Sequence, residues 1–299
     1  MRIHALNCIS SCPLGGLLMD GETKTHLRGR LTCTCLLAET PTGLVLIDTG
    51  FGLRDVAEPR TRLSRFFLEM LKPEFREELT AIRQIERMGF DARDVRDIVL
   101  THLDFDHAGG LDDFPWAKVH MLRTERDYAV EQKTWLDRQR FRPQQWGTQA
   151  NWHVYESGEG EPWFGFDCVR ELEGLPPEIL MVPLVGHTFG HSGIALHSNG
   201  KWLLNAGDAY FYWREMDVEN PWCTPGLSAY QALMEKDRKA RLWNQDRLRK
   251  LRREWSYDVE ICCSHDPHEF RALARRAPEE PAPRLAIYAN AEADWNERR

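Results

Sequence analysis

Four side chains able to hold a metal ion, His102, Asp104, Asp106 and His107, fall within six residues, in the run Thr-His-Leu-Asp-Phe-Asp-His-Ala-Gly-Gly at 101–110. The preceding Asp-Ile-Val-Leu-Thr at 97–101 is short and apolar, the signature of a buried strand. Ala108, Gly109 and Gly110 follow, and small residues let the backbone turn sharply and a helix begin close by. The N-terminal end of such a helix would favour bound anionic groups. A charged surface loop with two incidental histidines is the plain alternative, but it does not explain why the pattern recurs. Met-Val-Pro-Leu-Val at 181–185 leads into His187 and His191, Trp-Leu-Leu at 202–204 leads into Asp208, and Val-Glu-Ile-Cys-Cys at 259–263 leads into His265. Each strand-like run delivers a histidine or aspartate at its C-terminal end. Imidazole and carboxylate together suit zinc, iron or manganese, and three carboxylates push toward the harder metals.

These residues resemble the signature of the metallo-β-lactamase-fold hydrolases, His-x-His-x-Asp-His followed by a distant His, Asp and His. The likeness runs from Leu46-Ile-Asp48-Thr-Gly50 through His265. It implies an α/β fold, a four-layer αββα sandwich. It places His102 and His187 at a first metal site, Asp106, His107 and His265 at a second, and Asp208 between the two. Asp48 resembles the buried aspartate that orients a ligand histidine, and His191 is expected to supply a supporting hydrogen bond. The Gly-His-Thr-x-Gly-His form and the chain layout look most similar to the N-acyl-homoserine lactonases and the glyoxalase II group.

Two positions depart from that pattern. The second histidine of the signature is Asp104 here, expected to ligate the first metal in its place, with helix capping as the alternative use of its carboxylate. The flavodiiron oxygen reductases carry Glu at this position, together with a flavin domain for which this chain has no room. The homoserine lactonases have a tyrosine three residues after the bridging aspartate, where this chain has Phe211. Tyr210 and Tyr212 flank it as substitutes.

The resemblance implies a metal-dependent hydrolase. Two divalent ions, zinc first and iron or manganese also suited, share a hydroxide that attacks a lactone, ester or thioester. Asp106 is the expected proton carrier to the leaving group. An iron-dependent redox enzyme in the same cage and a phosphodiester hydrolase are the alternatives. A binding protein that keeps the metal for stability is a third. No Gly-x-Ser-x-Gly elbow or glycine-rich phosphate loop competes.

Around the site, 299 residues at 42% hydrophobic can bury a sizeable core. The expected organisation is one domain over 1–276, with a helical insertion at about 54–88, a Trp-rich segment at about 135–166, and a C-terminal extension over 277–299. A net charge of −7 argues against nucleic-acid binding. Neither a signal-peptide shape nor a membrane-spanning run is present, so a cytoplasmic location is expected. The eight cysteines then read as free thiols. Cys8 with Cys12 and Cys33 with Cys35 lack the usual zinc-pair spacing.

The period predicts helices over 62–71 and 74–88, the first unusually apolar. It either packs on the sheet, caps a small-molecule substrate, or meets a second subunit in a homodimer. The aromatics from Trp135 to Phe166 are expected to wall an apolar pocket. His120 reads as structural, and 228–255 as a long basic helix or helix pair with a solvated face.

Overall fold

The computed structural model describes residues 1–149 and 151–276; the expected extension over 277–299 lies outside them. Two six-stranded sheets face each other. The first runs β1 (Arg2–Asn7), β2 (Thr34–Thr40), β3 (Gly43–Ile47), β4 (Val95–Val99), β5 (Lys118–Leu122) and β6 (Trp152–Tyr155). It is antiparallel up to β3 and parallel from there on. The second runs β12 (Val259–Cys262), β11 (Lys201–Asn205), β10 (Ser192–Ser198), β9 (Ile179–Pro183), β8 (Phe166–Glu171) and β7 (Glu161–Trp163). It is antiparallel except for the β11–β12 pair.

The two-residue period of the strands builds the layers. Along β3, Leu44 and Leu46 face one core with Ile85 of the helix Ala81–Arg87, while Val45 and Ile47 face the other sheet. Met181, Ile194, Leu196 and Leu203 meet them from that sheet. On the far side of the second sheet, Val182, Ala195 and Leu204 pack under Leu248 and Leu251 of the helix Arg238–Trp255. Helix, sheet, sheet and helix make the four-layer αββα sandwich.

The apolar helix lies over the 101–110 loop. It spans Arg65–Leu71, and the Ser64 side chain caps it by accepting from Phe67 N. The Phe67 ring packs tilted against Phe105, centroids 4.6 Å apart, and Phe105 lies 6.0 Å from Phe51. The helix therefore packs against the loop that bears the candidate ligands. Truncating a buried aromatic such as Phe67 to alanine costs about 3–5 kcal/mol.

Two expectations change. The helix over 74–88 is only Ala81–Arg87, preceded by a 3₁₀ turn at Glu77–Leu79. Pro73 opens that stretch, and Glu74 N donates to Ser10 O instead of entering a helix. The Trp-rich segment is not one wall, because it closes the first sheet with β6 and opens the second with β7. Trp146 and Trp152 join one core, whereas Trp163 packs on Trp202 at the far edge. Residues 228–255 form two helices, Pro225–Met234 and Arg238–Trp255, the second capped by Asp237. His120 is held between Asp97 and the Tyr155 hydroxyl. Among the described residues no helix is long and apolar enough to cross a membrane.

Candidate metal centre

Strand ends converge on one point. Asp48 follows β3, His102 to His107 follow β4, His187 follows β9, Asp208 follows β11 and His265 follows β12. Loops at the carboxyl ends of strands are where α/β sheets gather chemistry. Their donor atoms form two groups, His102, Asp104, His187 and Asp208 in the first, and Asp106, His107 and His265 in the second; all seven residues are buried.

Asp208 faces both groups. Its Oδ2 lies 3.8 Å from His102 Nε2 and 3.4 Å from His187 Nε2. Its Oδ1 lies 3.3 Å from His107 Nε2 and 3.2 Å from His265 Nε2. Asp106 completes the second group, 3.7 Å from His265 Nε2 and 4.0 Å from His107 Nε2. Burial would raise the Asp208 carboxyl, but His265 and His107 hold it well below the usual range. Asp106 is pushed up by burial and by Asp208 and Asp104, against the pull of His107 and His265.

The ring nitrogens behind these donors are fixed. The Asp48 carboxylate accepts from Thr101 N and Thr101 Oγ1 at 2.8 Å and from His107 Nδ1 at 2.8 Å. Thr101 Oγ1, having given its proton to Asp48, accepts from His102 Nδ1 at 2.9 Å. His265 Nδ1 donates to Thr32 O at 2.7 Å. With Nδ1 committed as a donor, each of these imidazoles turns its Nε2 inward as the atom left for a metal. His191 stands behind the donors: its Nδ1 donates to Leu184 O and its Nε2 accepts from Asp208 N, both at 2.9 Å. Burial holds the His191 ring at about 3, so it stays neutral. Gly207 makes that contact possible. Its φ is +55°, and a Cβ there would lie 2.6 Å from His191 Nε2.

The donor set can be judged against a cation. His102 Nε2, His107 Nε2 and Asp208 Oδ1 are buried without any hydrogen-bond partner. Buried polar atoms rarely stay unsatisfied, and a divalent ion at the second group would satisfy two of them, His107 Nε2 and Asp208 Oδ1. The second group with Asp208 fits a metal as it stands. The first is different. Asp104 turns its side chain into the cluster and caps no helix, its Oδ2 lying 3.3 Å from His102 Nε2 and 3.0 Å from His187 Nε2. Both its oxygens, however, are taken by the buried Arg140, Nε to Oδ1 at 2.6 Å and Nη2 to Oδ2 at 2.5 Å. Burial opposes the Asp104 charge, and Arg140 overrides it, holding the carboxyl well below its usual range.

Arg140 ends the helix Trp135–Arg140, and a bridge between Phe141 and Asp104 seats it beside the loop. No sequence spacing announces this partner, which lies 36 positions away. The one available signal is chemical, since a buried aspartate in place of a histidine calls for a cation. Glu125 carries no spacing signal either. Buried, it accepts from Leu103 N at 2.9 Å, Thr188 Oγ1 at 2.5 Å and Gly190 N at 3.2 Å, tying the two histidine loops together. Its carboxyl is pushed up by burial to about 7.

The tyrosines correct the sequence expectation. Tyr210 is fully buried, with its hydroxyl 3.0 Å from both Glu269 oxygens. Tyr212 packs on Trp213 and Trp222, its hydroxyl beside Gly21. Neither phenol faces the clusters, because adjacent residues cannot share the direction of Phe211. Phe211 stacks 5.0 Å over His265 and lies 5.8 Å from His187. The phenol that reaches this neighbourhood is Tyr230, on the helix Pro225–Met234, 5.7 Å from Phe211. Burial raises its pKa, and the carboxylates of Asp106, Asp104 and Asp208 raise it further. The cysteines are free; the Cys33 thiol donates to Asp106 O.

The Metallo-beta-lactamase superfamily profile matches residues 28–254. A probable metallo-hydrolase of Mycobacterium tuberculosis is 37% identical over 279 residues, covering 92% of this chain and 83% of the relative. An N-acyl homoserine lactonase of Bacillus thuringiensis is 30% identical over 102 residues, 34% of this chain and 41% of the relative. Among solved structures, an N-acyl homoserine lactone hydrolase with N-hexanoyl-L-homoserine at its metal centre superposes with a TM-score of 0.67 at 20% identity, covering 91% of this chain and 95% of that one. This chain belongs to the metallo-β-lactamase superfamily and is a metal-dependent hydrolase.

Proposed function

We propose that the chain hydrolyses a lactone, ester or thioester with an apolar acyl or alcohol portion. The observation that carries this reading is Asp208, one buried carboxylate facing two clusters of inward-turned donors. A divalent ion held by Asp106, His107, His265 and Asp208 would acidify a coordinated water toward neutrality and polarise an acyl oxygen. The residues of the chain do the rest. Asp48 and Thr32 keep the rings of His107 and His265 in the binding tautomer. Asp106 is placed to carry a proton to the leaving oxygen or sulfur. Tyr230 supplies a hydroxyl to the acyl oxygen as charge develops there.

Apolar side chains packed beside these groups, with exposed leucines at their edge, support an acyl substrate. Phe211, Leu227, Met19 and Leu31 form one cluster with Tyr230 packed on it. Gly226, on the Tyr230 helix, abuts the backbone of Leu18, and Leu17, Leu18 and Leu27 are exposed. The N-acyl homoserine lactonase relative adds weight to lactones within the class. Zinc accepts the two imidazoles and the carboxylates that the second cluster offers with Asp208.

The test is a panel of γ-lactones, aryl esters, acyl thioesters and phosphodiesters, run with zinc-, manganese- and iron-loaded protein and with chelated controls. Hydrolysis of an acyl substrate that disappears in His265→Ala supports the proposal. Turnover of phosphodiesters alone, or dioxygen consumption by the iron form without hydrolysis, would replace it.

A further inference from the structure

We propose that the Arg140 guanidinium is the resident cation of the first cluster. On this assignment the chain holds one metal tightly, at Asp106, His107, His265 and Asp208, and a second ion enters only by displacing Arg140 from His187.

The argument starts from lone pairs. Arg140 Nη2 lies 2.9 Å from His187 Nε2 in hydrogen-bonding geometry. Arginine carries donors only and does not lose its proton in proteins, so His187 must present its Nε2 lone pair. An imidazole nitrogen has one such pair, and ligating a metal would need the same one. His187 therefore serves Arg140 or a metal, not both. The same donor explains why Asp104 Oδ2 and His187 Nε2 approach to 3.0 Å. Two acceptors that close repel each other unless a cation lies against both, and Nη2 does.

Charge and position agree with this role. Arg140 is fully buried, and its third contact, Nη1 to Met234 O at 2.6 Å, anchors the guanidinium at the cluster. Aspartate in place of a neutral histidine adds one negative charge to the first cluster, and Arg140 returns that charge without a second dication. The second cluster has no such competitor. The Nε2 atoms of His107 and His265 face Asp208 and Asp106, and no arginine or lysine nitrogen within salt-bridge distance of a second-cluster carboxylate is found among the described residues.

Breaking a buried pair by removing one partner leaves an uncompensated charge. A chain lacking Arg140 should recover that loss by binding a second ion. The inference rests on the metal dependence in the proposed function but not on its substrate.

The experiment is metal retention. Protein saturated with zinc or cobalt is passed through a chelating column, and the ions per folded chain are counted. Wild type is expected to keep one, lost in His265→Ala and kept in His102→Ala. Arg140→Met should keep two, binding the second roughly 10–100-fold more tightly than wild type. Its metal-free form should melt lower than wild type and recover when metal is added. Should Arg140→Met fail to fold, the pair Asp104→His with Arg140→Met removes both charges and is expected to keep two ions. Two ions held equally tightly by wild type would overturn the assignment and leave the hydrolase reading standing. So would a single retained ion that His102→Ala loses, or a folded Arg140 variant that still keeps one. Complete loss of metal from wild type would sink both.

Discussion

His107 gives its Nδ1 proton to Asp48 at 2.8 Å, and the same Asp48 oxygen takes the Thr101 hydroxyl at 2.8 Å. One carboxylate thus sets the rings of two candidate ligands, His107 directly and His102 through Thr101. Asp48 reaches this position from a left-handed backbone, φ 54°, an uncommon conformation for a non-glycine residue. Asp48→Asn should keep the fold and weaken metal binding at the second cluster by roughly 10–100-fold. Competition against a chromophoric chelator measures this. Unchanged affinity would show that the loop backbone alone sets the ring.

Asp208 links the two clusters, so its loss should not be divisible. Asp208→Asn keeps the shape but replaces one oxygen with a donor that cannot ligate. Retained metal and hydrolysis are expected to fall together. Elemental analysis alongside the rate on the best acyl substrate checks this, and normal metal with normal rate would remove Asp208 from the centre.

Tyr230 separates the chain from the tyrosine arrangement suggested by sequence alone. Tyr230→Phe should lower kcat by about 10²-fold, the scale of losing one oxyanion donor, with metal content unchanged. Tyr212→Phe should stay near wild type, since its hydroxyl lies beside Gly21. A normal kcat in Tyr230→Phe would confine Tyr230 to packing.

What the sequence disclosed and what it hid follow from range. His102, Asp106, His107, His187, Asp208 and His265 each end an apolar run, and local patterns of that kind are visible in one dimension. The strand-end signal extends to Asp48 beside Gly50. Arg140, Tyr230 and Glu125 carry no such mark. Each sits on a helix whose face toward the centre is decided by tertiary packing, and helical period gives only which residues share a face. The Trp-rich segment misled for a related reason, because composition shows how many aromatics a stretch holds but not that β6 and β7 belong to different sheets. Tyr210 and Tyr212 were near in number only, since residues adjacent to Phe211 point elsewhere.

Glu269 makes a pH dependence that can be tested apart from catalysis. Burial, with Asp266 nearby, pushes its carboxyl from 4.5 to about 8, although Cys263 N and the Tyr210 hydroxyl donate to it. The folded state therefore holds this proton more tightly than the unfolded chain does. Stability from the protonated form is fully present below pH 4.5 and declines as pH rises to about 8; each tenfold gain in proton affinity on folding is worth about 1.4 kcal/mol. Glu269→Gln carries no titrating proton, so it should lose less stability than wild type between pH 5 and pH 8. Denaturant midpoints of metal-free protein across that range give the comparison, with the wild-type curve falling more steeply. Parallel curves for the two proteins would mean that Glu269 is ionised in the fold and that its three hydrogen-bond contacts outweigh its burial.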